Sequence, residues 1–361
     1  MKDDKINSFG LFTMINSLTS ASLYGIFSSY IIYKAKNASL ISITIGFIIS
    51  LIISKIIYSF FIKYPNLSFS NKMKLIHKKT NKIIIIISLL ASIFGYILFT
   101  YRLTTFLSTQ YLIETPPIFL SILILFITYY ISSKGLETTI KVSTISFFIS
   151  MFIFLFDFIS LIGEVKLDNL LPIFIVSKKD IFISSITFAF YFTIPLTNLF
   201  SLNLNQIEDK NKFKRYYYLG ITLSFIIAIL SIFTTICLSG TKINELFDYP
   251  IYTTLKRIKL FSFLDSLENV SIMLWILFII NASSMSLLFI FNTINGTFNL
   301  TKKKNNIIKF IIMSICFTIP NFIFTNNNYN ESYNYIWIPF IVLLLIFLIV
   351  IYSLIKDRFN N

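Results

Sequence analysis

Asn16-Ser-Leu-Thr-Ser-Ala-Ser-Leu-Tyr-Gly25 is the stretch on which the fold turns. It sits inside an apolar run, Phe9 to Ile32. A helix needs roughly 20 such residues to cross a bilayer. Amide, hydroxyl and small side chains at that depth need a reason, because lipid offers polar groups no partner. Two reasons stand open. Small residues let helices pack closely. Alternatively, the helix breaks and its freed backbone faces a cavity.

The rest of the chain fixes the class. Of 361 residues, 56% are hydrophobic and 13% charged, and the mean hydropathy is +0.78. Soluble domains carry about 25% charge, so a water-soluble fold of this size lacks the charges to cover its surface. The 41 Phe and 20 Tyr exclude disorder. The fold class is an all-α, multi-pass membrane protein. The net charge of +15 falls in short loops between apolar runs, so it reports topology rather than nucleic-acid binding. Cys237 and Cys316 both lie in apolar runs and supply neither a disulfide framework nor a metal motif. The first run is too long for a signal-peptide core and is read as a retained span.

Ten spans are predicted: 9–32, 38–62, 83–101, 116–132, 142–162, 184–203, 216–238, 266–297, 307–325 and 335–355. With the N-terminus inside, inner segments carry twenty Lys and Arg and outer segments ten. That excess predicts cytoplasmic N- and C-termini. Two outer connections, Gly163–Ile183 and Ser239–Asp265, are long and partly amphipathic, which predicts short helices on the outer face.

The sixth span reads Ser184-Ser-Ile-Thr-Phe-Ala-Phe-Tyr-Phe-Thr-Ile-Pro-Leu-Thr-Asn198. Pro195 removes a backbone donor and crowds the carbonyl of Tyr191, so a kink or break is expected there. Breaks in the first and sixth spans, marked by Gly25 and Pro195, resemble those of inverted-repeat transporters, which bind ligand near the midplane. The chain then reads as one permease-like domain, with repeats at about 9–162 and 184–355.

Ionisable residues within spans are few. Asp157 lies near the outer end of the fifth span and Lys55 near the inner end of the second, each within roughly 10 Å of an interface, and a lysine can snorkel that far. His77, the only histidine, sits in a Lys-rich inner loop and reads as a solvated bystander. Lys302-Lys-Lys304 reads as an orientation signal. The spans supply no paired carboxylates and no histidine relay, so an acyl or glycosyl transferase is poorly served. No enzyme, cofactor or metal is expected.

Five segments in order resemble a known family. They are Ile6-Asn-Ser-Phe-Gly-Leu-Phe12; Thr115-Pro-Pro117 with Ser133-Lys-Gly-Leu-Glu137; Asn169-Leu-Leu-Pro172; Tyr249-Pro-Ile-Tyr-Thr-Thr-Leu255; and Phe263-Leu-Asp-Ser-Leu-Glu268 with Leu274-Trp-Ile276. Together they resemble the B subunit of GerA-type spore nutrient-germinant receptors, in the amino acid–polyamine–organocation superfamily. The resemblance implies a LeuT-like fold with a 5+5 inverted repeat and broken first and sixth helices. It implies a subunit in the inner membrane of the spore that senses a small nutrient, with an amino acid as the expected class. It also implies an A-type membrane subunit and a C-type lipoprotein as partners. Ser20-Ala-Ser22 stands where the family usually has Gly-x-Gly. No lysine occupies the middle of the fifth span, so proton-coupled transport of the kind some relatives perform is unsupported. A coupled amino-acid or cation transporter is the alternative reading. The ligand site is expected between the two breaks, at Thr19, Ser20, Ala21, Ser22, Phe190, Tyr191 and Thr193.

Overall fold

The computed structural model describes residues 6–256, 268–298, 300–323 and 334–360. The outer-loop cations Arg257 and Lys259, and the segment beginning at Phe263, lie outside these residues. Thirteen α-helices are present among the described residues: α1 Ser8–Ser20, α2 Ser28–Ala35, α3 Ser39–Ile62, α4 Phe69–His77, α5 Asn81–Phe106, α6 Pro117–Ser133, α7 Leu136–Ile162, α8 Lys178–Thr193, α9 Lys210–Asn244, α10 Pro250–Leu255, α11 Glu268–Phe298, α12 Lys302–Thr318 and α13 Asn334–Asn360. No strand is described; one isolated bridge pairs Ile6 with Ile207.

Among the described residues, eight stretches are long and apolar enough to cross a membrane. The first, Ser8–Ile62, runs 55 residues. At 1.5 Å per residue it would span about 80 Å, against a hydrocarbon core of about 30 Å. It turns back at Lys36, whose φ of 48° ends α2. Pro117–Ser133 is a shorter apolar helix. Helices α7, α8 and α9 each begin six residues before the spans read from hydropathy. Their charged first turns leave the hydrocarbon, whereas backbone hydrogen bonding continues through them.

The bundle has two distinct ends. At one, Lys63 pairs with Asp357, Lys74 Nζ donates to the Gly296 carbonyl at 2.9 Å, and the backbone of Ile6 meets that of Gln206 and Glu208. At the other, Lys34 pairs with Asp180 at 2.8 Å. Lys36 pairs there with Glu245 at 3.6 Å, and Asn169 Nδ2 donates to the Cys237 carbonyl at 2.7 Å. Helix α9 kinks near this second end at Gly240, where φ of 69° suits a residue without Cβ. These two groups coincide with the inner and outer segments of the charge count.

Two expectations are corrected. His77 is fully buried rather than solvated. Amphipathic α4 folds back against α13, so His77 Nε2 bonds Ser353 Oγ at 2.8 Å and the ring stacks on Tyr352. Burial, with Lys356 adding to it, pushes its pKa down to about 4. The neighbouring Lys72 is also buried; its ammonium donates to the Phe61 carbonyl at 2.7 Å. Burial lowers its pKa to about 8. The second correction concerns α10. Five of its six residues are buried, so it plugs into the bundle rather than lying on its surface. Tyr252 meets Phe106 edge-on, with centroids 5.0 Å apart.

Candidate functional site

Three helices meet at the middle of the first apolar run. Helix α1 loses regular geometry after Ser20, and a wider π turn, Leu23–Phe27, replaces it. Helix α8 gives way to a 3-10 segment, Ile194–Ser201, with Pro195 in its first turn. Pro195 has no N–H, so the Tyr191 carbonyl one turn back loses its helical donor. Ser22 supplies the substitute: its Oγ donates to Tyr191 O at 3.0 Å. The two irregular segments are thus joined by a hydrogen bond.

The third helix is α11. Trp275 Nε1 donates to the Ala21 carbonyl at 2.9 Å, which serves one acceptor freed where α1 ends. The indole lies against Gly25, where an added Cβ would stand 2.1 Å from Cη2. Only glycine admits the ring there.

The expected site residues divide by direction. Thr19 faces α9, donating to Ser224 Oγ at 2.6 Å. Ala21 lies under Trp275. Thr193 Oγ1 turns back to the Ala189 carbonyl at 2.6 Å. Phe190 packs between Phe340 and Phe347 of α13, with centroids 5.1 and 5.6 Å away. Tyr191 lines a cavity of about 40 Å³ shared with Gly95, Pro195, Asn198 and Ser286. That volume holds a few water molecules and no amino acid. Asn198 Nδ2 closes one wall on Ser286 Oγ at 2.7 Å.

The polar groups left over are the notable feature. Ser20 Oγ is buried without a hydrogen-bond partner, and so are Asn16 Oδ1, Asn281 Oδ1 and Ser283 Oγ. Asn281 Nδ2 reaches Ser17 Oγ at 3.3 Å across the contact of α1 with α11, while Asn16 Nδ2 turns to Ser224 Oγ of α9 at 2.8 Å. Buried polar atoms are nearly always paired, so four unpaired ones on two touching helices mark a place that a polar molecule can satisfy. The eighth span's share went unread. Asn281-Ala-Ser-Ser-Met-Ser286 is as polar for its depth as the first-span stretch, and was the available signal. Among the described residues no group of three or more His, Cys, Asp or Glu side chains gathers to hold a metal.

Comparison with known proteins places this arrangement. The chain resembles a solved Na+-coupled sialic acid symporter in a substrate-bound, outward-open state, with a TM-score of 0.62 at 14% identity over 94% of this chain and 78% of that one. The likeness establishes the LeuT-like fold. Spore germination protein KB of Bacillus subtilis (strain 168) is 23% identical over 247 residues, 66% of this chain. The match spans 65% of that relative's length. The spore germination protein family model matches residues 5–332. With nearly its whole length in that match, this multi-pass, LeuT-like chain belongs to the spore germination protein (spore permease) family.

Proposed function

We propose that this chain is the germinant-sensing membrane subunit of a spore nutrient-germinant receptor. It binds a small nutrient, an amino acid by expectation, where α1, α8 and α11 meet. Binding there biases the bundle between two conformations and so triggers germination. The observation that carries this is the set of unpaired buried oxygens on Asn16, Ser20, Asn281 and Ser283 beside the end of regular α1. The cavity beside Tyr191 is too small for an amino acid, so ligand entry requires α1 and α8 to part. That coupling of binding to helix movement is what a sensor needs. Ten crossings, repeats at 9–162 and 184–355, residence in the spore inner membrane with both termini on the core side, and assembly with an A-type membrane subunit and a C-type lipoprotein complete the reading.

Spores carrying Ser20→Ala test it. Removing an unpaired buried hydroxyl leaves fold stability unchanged or raised. Losing a ligand hydrogen bond shifts the germinant dose–response about five- to tenfold to higher concentration. An unshifted curve for both Ser20→Ala and Ser283→Ala refutes the site. A full response after deletion of the genes for the two partner subunits refutes the receptor reading.

A further inference from the structure

A second buried polar centre lies apart from these helix breaks, toward the end of the bundle that carries Lys34, Asp180 and Glu245. Asp157, near the end of α7, is 4% exposed. Its Oδ1 accepts from Ser271 Oγ at 2.5 Å. Its Oδ2 has no hydrogen-bond partner. Asp157 lines a cavity of about 20 Å³ together with Tyr24, Ser231, Thr234 and Thr254. Among the described residues no lysine, arginine or histidine lines that cavity.

Two of the hydroxyls around it are arranged to accept. Thr234 Oγ1 spends its proton on the carbonyls of Leu230 and Ser231, at 3.1 and 3.0 Å. Thr254 Oγ1 spends its proton on Pro250 O at 2.9 Å. Ser271 does the same toward the carboxylate. A carboxylate buried with half its lone pairs unmet is costly until something positive joins it. The volume suits one water-sized body. One negative charge among neutral hydroxyls favours a monovalent ion, because a divalent one would leave excess buried charge. An all-oxygen set suits a hard cation.

We propose that Asp157, with the hydroxyls of Tyr24, Ser231, Thr234 and Thr254, binds one small monovalent cation, sodium by size. This cation would tie α7 to α9, α10 and the segment after α1, whichever nutrient the chain senses.

The full chain in nanodiscs, melted at constant ionic strength in sodium, potassium or choline chloride, tests this. Sodium is expected to raise the wild-type Tm saturably over choline. Asp157→Asn is expected to melt alike in all three salts, and Thr234→Val, which keeps the shape, to need about tenfold more sodium. Equal melting of the wild type in all salts, or a sodium response retained by Asp157→Asn, overturns the site. An equal shift in potassium overturns the assignment to sodium. An infrared band of a protonated carboxyl, present for wild type in sodium and absent from Asp157→Asn, also overturns the proposal by naming a proton as the occupant.

Discussion

Ser22 Oγ donates to the carbonyl oxygen of Tyr191 at 3.0 Å, across 169 residues of chain. The bond exists because Pro195, four residues after Tyr191, has no N–H to offer. The first and sixth apolar runs are therefore irregular at the same place for complementary reasons. One lacks a donor, and the other presents a side chain that provides it. Parting α1 from α8 breaks this bond and exposes the Tyr191 carbonyl.

Ser22→Ala is expected to destabilise the protein by about 1–3 kcal/mol, since it leaves that carbonyl buried and unmet. Pro195→Ala restores a backbone donor. The double variant is expected to be more stable than the sum of the single losses, a coupling measured by a double-mutant cycle of thermal unfolding. Strict additivity contradicts the account.

Gly25→Ala places a methyl group in the ring of Trp275. Overpacking of that kind costs about 1–3 kcal/mol. Trp275→Phe removes the clashing ring atoms and also the donor to Ala21, at a cost of about 1–3 kcal/mol. Protein yield and Tm should fall for each single variant, and the double variant should lose less than the two single losses combined. Strict additivity places the clash elsewhere.

Acid should loosen the packing of α4 on α13. His77 titrates near 4 when folded and near 6.5 when unfolded. Between those values the unfolded chain binds the extra proton, so stability is intact above about pH 6.5 and declines as pH falls toward 4. His77→Gln keeps a donor for Ser353 and loses the titration. The wild-type Tm is expected to drop by roughly 5 °C more than that of His77→Gln over this range. Parallel curves rule the histidine out.

Topology has a direct check. Lys79, Lys242 and Lys303 are exposed, and both native cysteines are buried. A membrane-impermeant maleimide added to intact cells should label Lys242→Cys and spare Lys79→Cys and Lys303→Cys. The reverse pattern inverts the protein in its membrane.

Much of this was legible in the sequence, because burial in lipid is a demand on composition and run length alone. Apolar runs, the Lys and Arg imbalance between loops, the small-residue stretch at 16–25 and Pro195 each act locally, so a linear reading finds them. The family resemblance rode on short segments of the same kind. Direction was not legible. Phe190 and Tyr191 are adjacent, yet one packs on α13 and the other lines a cavity, because helical geometry turns successive side chains by about 100°. Nor was pairing at long range. His77 reads as a loop residue until α13 covers it, and Trp275 reads as one more aromatic until its indole is found on Ala21 and Gly25. Run length and charge dictated that this chain is a bundle of membrane helices. Only tertiary contact decided which polar groups were satisfied, since a hydrogen bond depends on where the partner helix lies.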